Sequence, residues 1–370
     1  MRKIQVLIVD DSSVVRRIVA DELGTQDDIE VVGTAIHGRM ALEKMAQLDP
    51  DLVVLDIEMP EMDGLTALDH LRKEYPHTPV IMFSSLTELG AAATLEALSR
   101  GASDFFTKPT GIGGADASRN VVRKELVPAI RALGSRKREQ AEAAAQRAAR
   151  ASARLNGGVS APRSTPTPAT TNAANYARVD LLAIGASTGG PNALAELLHG
   201  LTSDFPVPIV IVQHMPPMFT RLLAERLTKQ TSIRAAEAED GVVLEPGRAW
   251  IAPGDFHLET VRDGAHVRLK LNQEPPENAC RPAVDPLFRS VAKTFGRHAL
   301  AVVLTGMGQD GLRGCELIRA ASGQVLVQDE ATSVVWGMPG AVARAGLAER
   351  VLPVPLLASE IVRRVRTGRD

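Results

Sequence analysis

Cysteine is scarce: Cys280 and Cys315 are the only two in 370 residues, and they lie in different motifs. They offer neither a disulfide framework nor a zinc-ligand spacing. Charge of one sign is missing too, since 44 acidic residues against 42 basic leave a formal net charge of −2. No global basic field is therefore available to recruit nucleic acid or an anionic membrane surface. Long apolar runs are absent, and none approaches the roughly 18 residues that a bilayer-spanning helix needs. The opening MRKIQVLIVDD meets two carboxylates after one strand's length, which argues against a signal peptide. No solenoid-type repeat is visible. The expectation is a soluble, cytoplasmic chain with no DNA partner and no direct membrane insertion. At roughly 150 residues per domain its length suits two domains.

What is present is an alternation of apolar runs with helix-like segments. IQVLIV, IEVVGTA, DLVVLD, PVIMFS and SDFFTK read as five strands of parallel βαβ units. The pattern breaks where SRKREQAEAAAQRAARASARL offers helix formers without an apolar stripe. NGGVSAPRSTPTPATTNAANYA follows, rich in Gly, Pro, Ser and Thr, and cannot bury enough surface to fold by itself. Alternation then resumes with VDLLAIG, VPIVIVQ, RAWIAP, LAVVLTG and QVLVQ. FHLETVRDGAHVRLKL stands apart as a hairpin around Asp263-Gly264. The expected fold is α/β throughout: an N-terminal (βα)5 domain over 1–125, a helical then Pro/Thr-rich linker over 126–177, and over 178–370 a doubly wound, mostly parallel hydrolytic domain with a β-hairpin.

In the first half, Asp10 and Asp11 follow one strand and Asp56 ends another. Three carboxylates at one sheet edge repel each other unless a cation sits among them, and such few-ligand oxygen sites suit Mg²⁺ with phosphate. Ser84 ends a fourth strand, where its hydroxyl could bond an added phosphoryl group, and Lys108 supplies positive charge at the end of the fifth. Any one of these acids alone reads as a helix cap or loop residue; the joint pattern does not. Residues 1 to about 125 resemble a two-component receiver domain. That resemblance implies phosphorylation of Asp56 by a histidine kinase and Mg²⁺ bound by Asp11 and Asp56. It also implies Asp10 acting through water and the Glu58 carbonyl completing the metal shell. Ser84 and Phe105 match the hydroxyl and aromatic switch positions. Phe105 lacks a tyrosine's hydroxyl, so its part in a switch is expected to be packing.

In the second half, Ser187, His214 and Asp310 each lie just beyond an apolar, strand-like run. Ligands of open parallel sheets bind outside the carboxyl ends of the strands, so the three can meet there as a hydrolase triad. GASTG fits G-x-S-x-G, with a readable strand, turn and helix. Alone, the pentapeptide could equally be a turn that cradles phosphate. A lone histidine after a strand reads as a polar loop residue, and Asp310 alone as a helix cap. Residues from about 178 onward resemble chemotaxis-type protein-glutamate methylesterases, the CheB family, through IGASTGGP, VIVQHMPP, APGDFHL, CRPAVDPLFRS and TGMGQDG. The resemblance implies a Ser187–His214–Asp310 triad, a Met307 backbone amide in the oxyanion hole, and Arg281 at the border of the substrate crevice. It further implies γ-glutamyl methyl-ester hydrolysis and glutamine deamidation on methyl-accepting chemoreceptors. No cofactor is expected for that chemistry. Cys280 stands where a more polar residue is expected and reads as a small buried thiol.

Two other classes compete. A receiver fused to a DNA-binding output would need a compact basic helical module, and this output is strand-rich and near neutral. A receiver-controlled nucleotide-binding or protein-interaction module is the other. Ser187 occupies the middle glycine position of G-x-G-x-x-G, and no P-loop lysine follows.

Overall fold

The computed structural model describes residues 2–85, 87–108, 114–134 and 177–369. Pro109 and the segment expected to hold the Pro/Thr-rich linker lie outside these residues.

The first unit is a five-stranded parallel sheet in the order β2-β1-β3-β4-β5. Its strands are β1 (Ile4–Val9), β2 (Ile29–Ala35), β3 (Leu52–Asp56), β4 (Val80–Ser84) and β5 (Asp104–Thr107). β1, β3 and β4 are apolar along nearly their whole length because both faces are covered, as parallel sheets require. Val6, Ile8, Val54 and Phe83 face one core together with α1 (Ser13–Gly24) and α5 (Gly114–Val121) with its continuation. Leu7, Val53, Leu55 and Met82 face the other, covered by α2 (Gly38–Leu48), α3 (Gly64–Glu74) and α4 (Glu88–Ser99). Helical backbone continues beyond α5 through a π-turn at Val122–Leu126 and on to 134, burying Ile130 and Leu133 against β1. The packed unit thus passes the boundary expected at 125, because residues 126–134 carry apolar positions that the sheet needs covered.

The second unit is a seven-stranded sheet in the order β14-β13-β12-β6-β7-β9-β8, every pairing parallel. β6 (Leu181–Ala186), β7 (Ile209–Gln213) and β12 (Ala299–Val303) form its buried centre. β8 (Arg234–Glu237), β9 (Arg248–Ile251), β13 (Gln324–Gln328) and β14 (Arg350–Leu352) flank them. One face is covered by α6 (Gly190–His199), α7 (Phe219–Gln230) and α11 (Val354–Arg366). The other is covered by α8 (Val284–Phe295), α9 (Leu312–Ala320) and α10 (Met338–Arg344). β10 (His257–Asp263) and β11 (His266–Asn272) make a separate antiparallel hairpin. Its turn centres on Gly264-Ala265, one residue later than expected, with Gly264 at φ +58°. β6 starts this unit and its two neighbours lie far apart in the chain, so the winding reverses there. Such a reversal opens a crevice at the strand ends. Among the described residues, no helix is long and apolar enough to cross a membrane.

The two units share a core. Side chains of α2–α4 join those of α6 and α7 in one buried cluster. Polar contacts seal the seam: Asn192 Nδ2 donates to the Leu98 carbonyl (2.7 Å), and Arg226 donates to the Leu95 carbonyl (3.3 Å) and to Asn192 Oδ1 (2.9 Å). Arg221 meets Glu88 at 2.5 Å.

Candidate active site and phosphorylation centre

The carboxyl ends of β12, β6 and β7 lie level, with Val303 opposite Gly185 and Ala186 opposite Gln213. Ser187 therefore leaves the sheet between His214 on one side and the β12 loop on the other. The Ser187 N–H donates to the Thr305 carbonyl (3.0 Å), and its carbonyl accepts from Gly190 N–H (2.7 Å) and Gln213 Nε2 (3.0 Å). Gln213 Nε2 also reaches the His214 carbonyl at 3.2 Å, so one buried amide ties the Ser187 turn and the histidine together. A side chain at Gly190 would strike Gln213 Oε1, and one at Gly306 would lie 2.8 Å from Ser187 Cβ. Glycine at both positions lets the two loops close on Ser187. The Ser187 hydroxyl and the Met307 N–H make no hydrogen bond among the described residues.

His214 and Asp310 are joined. Asp310 Oδ2 lies 2.7 Å from His214 Nε2, and the Cys280 sulfur lies 3.5 Å from Nδ1. Nδ1 thus faces the thiol, and no hydrogen bond joins Ser187 to His214 among the described residues. Cys280 is half-buried against the imidazole, where a simple core thiol was expected. Burial alone would depress the His214 pKa; the hydrogen bonds to Asp310 and Cys280 outweigh it and push it up to about 10.

Asp310 is buried but fully satisfied. Its Oδ2 also accepts the Val284 N–H (2.6 Å), and its Oδ1 accepts from Asp285 N–H (3.0 Å), Gly311 N–H (2.9 Å) and Asn278 Nδ2 (2.8 Å). The first two amides are the open donors of the α8 N-terminus. Burial pushes the Asp310 pKa up, and these bonds, His214 foremost, bring it below the ordinary carboxylate value. Gln213, Asn278 and Asp285 escaped the sequence reading. Gln213 had a signal, a polar residue closing an apolar strand. Arg281 is a brace: its guanidinium takes the Asp255 carboxylate (2.6 Å) and the carbonyls of Gln273 (3.0 Å) and Glu274 (3.1 Å).

In the first unit, Asp10, Asp11 and Asp56 bring carboxylate oxygens within 4.8 Å of one another. Lys108 Nζ lies 2.6 Å from Asp56 Oδ2 and 3.1 Å from Asp10 Oδ2. These two oxygens are buried and accept no aligned hydrogen bond among the described residues, so the donor set fits a divalent cation. Burial pushes the Asp10 carboxyl up and that of Asp56 up to about 6, with Lys108 opposing in both. The Glu58 N–H donates to Asp56 Oδ1 at 3.3 Å. Ser84 points its hydroxyl at the Gly90 carbonyl of α4 (3.0 Å), not at the carboxylates. Phe105 stacks on Phe219, the first residue of α7, at 4.7 Å between ring centroids and 14° between planes. Val334 and Val335 also pack against the first unit's core. β5 thus lies against the helix that follows His214.

The comparisons agree with this division. Residues 182–361 match the CheB methylesterase family and 6–123 the response regulator receiver domain. A protein-glutamate methylesterase/protein-glutamine glutaminase of Trichodesmium erythraeum is 51% identical over 366 residues, covering 99% of this chain and 100% of the relative. One from a Nocardioides species is also 51% identical, over 100% of this chain and 97% of its own length. The crystal structure of the Thermotoga maritima CheB methylesterase catalytic domain superposes with a TM-score of 0.50 at 40% identity, covering 50% of this chain and 99% of that one. With identity of this order running along the whole length, the chain belongs to the protein-glutamate methylesterase/protein-glutamine glutaminase family.

Proposed function

We propose that this protein hydrolyses γ-glutamyl methyl esters on the cytoplasmic helices of methyl-accepting chemoreceptors, and deamidates selected glutamines there, under control of phosphorylation at Asp56. The observation behind this is a Ser187 hydroxyl with no hydrogen-bond partner among the described residues, at the strand-end crevice where His214 is paired to Asp310. Ser187 Oγ attacks the ester carbonyl while its proton passes to Nδ1 of neutral His214, the form that grows as pH rises towards the raised His214 pKa. Asp310 stays ionised and steadies the imidazolium from Nε2. The Met307 amide donates to the developing oxyanion; loss of one such donor costs about 3–4 kcal/mol in comparable sites. Methanol, or ammonia from an amide, leaves with the proton that His214 returns. Water deprotonated at the same nitrogen then resolves the acyl-enzyme. Arg281 serves as the brace of the crevice wall. The product carboxylate adds negative charge to a receptor helix and alters repulsion between neighbouring helices, a physical route to chemotactic adaptation.

On the receiver, Asp56 takes the phosphoryl group from a histidine kinase. Asp10, Asp11, Asp56 and the Glu58 carbonyl would hold Mg²⁺, which supplies charge neutralisation for the incoming phosphoryl oxygens. Lys108 pairs with those oxygens, and Ser84 turns from the Gly90 carbonyl towards them. That turn loosens the start of α4, the helix whose Leu95 and Leu98 carbonyls hold Arg226 and Asn192. Phe105 follows by packing, and the receiver's cover over the crevice lifts. The catalytic half is set off from the receiver by the 126–177 region, of which 126–134 belongs with the receiver's last helix.

The test is methanol release from methylated receptor by the intact chain beside Ser187→Ala. Release by the first, with a loss of about a thousandfold or more in the second, supports the esterase. Background rates from both would leave a receiver-controlled binding module.

A further inference from the structure

Asn278 lies on the short turn before α8, and its amide nitrogen stands between two buried carboxylates. Nδ2 is 2.8 Å from Asp310 Oδ1 and 3.0 Å from Asp285 Oδ2. The other Asp285 oxygen accepts the Gly314 N–H at 2.7 Å, which fixes that carboxylate and hence the amide it holds. We propose that Asn278 is a positioning residue for the His214–Asp310 pair, a role that rests on the esterase reading of that pair.

Asp310 divides its acceptors unevenly. Oδ2 serves His214 and the Val284 N–H, and Oδ1 is held by Asn278 together with two backbone amides. The Asn278 bond adds a side-chain anchor to these backbone ones against rotation of the carboxylate, and rotation would take Oδ2 off Nε2. The amide is also neutral, and it separates two acids that would otherwise repel. Asp285 feels that repulsion: burial, and further the charge of Asp310, raise its carboxyl. The backbone is shaped to deliver this side chain. Asn278 (φ +52°) and Ala279 (φ +61°) are both left-handed. The turn is closed by Cys280 N–H to the Glu277 carbonyl (2.9 Å), and Glu277 is clamped to α8 by Arg289 (2.6 Å). Asparagine tolerates this backbone better than most residues, and its amide supplies two donors. Although the residue is exposed as a whole, its amide reaches down to acids that are each 2% exposed.

Two variants of the full-length protein test this in the methanol-release assay, with Ser187→Ala as control. Asn278→Gly keeps the left-handed backbone and removes the amide. It should lower kcat about tenfold or more, the equivalent of one charge-assisted hydrogen bond, with KM within about twofold. Asn278→Asp keeps the shape and adds a third acid, which raises the His214 pKa and moves the acid limb of the kcat profile to higher pH. Packing alone would not move that limb. A wild-type kcat in Asn278→Gly, or an unmoved profile in Asn278→Asp, overturns the proposal. A Ser187→Ala control as active as wild type would instead overturn the esterase reading itself.

Discussion

Asp56 and Asp310 are both buried acids at the carboxyl edge of a parallel sheet, yet their surroundings are opposite. Asp310 accepts four N–H groups of the protein in addition to His214, and its pKa falls. Asp56 Oδ2 and its neighbour Asp10 Oδ2 accept no aligned hydrogen bond among the described residues, and their pKa values rise. A saturated carboxylate is a fixed electrostatic part, ionised and oriented before substrate arrives. A cluster that meets Lys108 but no backbone donor at these oxygens leaves them able to take a cation, in keeping with a receiver domain. Protein donors around a buried acid thus separate a carboxylate already saturated from one still open to a ligand.

The largest effect should come from disturbing the saturated acid. Asp310→Asn keeps the volume but sets an amide where His214 Nε2 needs an acceptor, and kcat should fall by about 10⁴. Equal rates in variant and wild type would erase the contrast. Next is the open cluster. Because folding raises the Asp56 pKa above its ordinary value, the folded chain binds more protons, so in Mg²⁺-free buffer stability should drop as pH rises through about 4 to 6. Asp56→Asn removes that penalty. Above pH 6 it should be more stable than wild type by on the order of 1–3 kcal/mol in urea unfolding, while taking up no phosphoryl label. A destabilised variant would show that Lys108 already satisfies the cluster. The smallest effect concerns Cys280. Its contact helps raise the His214 pKa, so Cys280→Ala should move the acid limb of kcat/KM to lower pH by less than about one unit. A shift to higher pH would reverse the assigned role of the thiol.

Strands whose faces are both covered were readable from apolar runs, and β1 and β13 fall on the expected residues. β8 and β14 were not readable: RAAE and RVL are short edge strands, half-buried or exposed, without a run to detect. Ser187 and His214 were legible because each directly follows a central strand, and Asp310 because it lies in the glycine-rich loop that leaves another. Asn278 and Asp285 were not, since their meeting with Asp310 depends on two left-handed residues and on where α8 docks. The orientation of His214 was also beyond the sequence. Which ring nitrogen faces Asp310 is decided by the approach of two loops 96 residues apart.

The strand order also fixes when the protein can acquire its chemistry. The receiver has its last core residues once the helical segment ending at 134 is made, but the hydrolytic crevice needs β12 laid beside β6 and then the loop holding Asp310. A ribosome must therefore deliver most of the chain, every residue of the receiver included, before any ester could be cleaved. Control precedes activity in the order of synthesis.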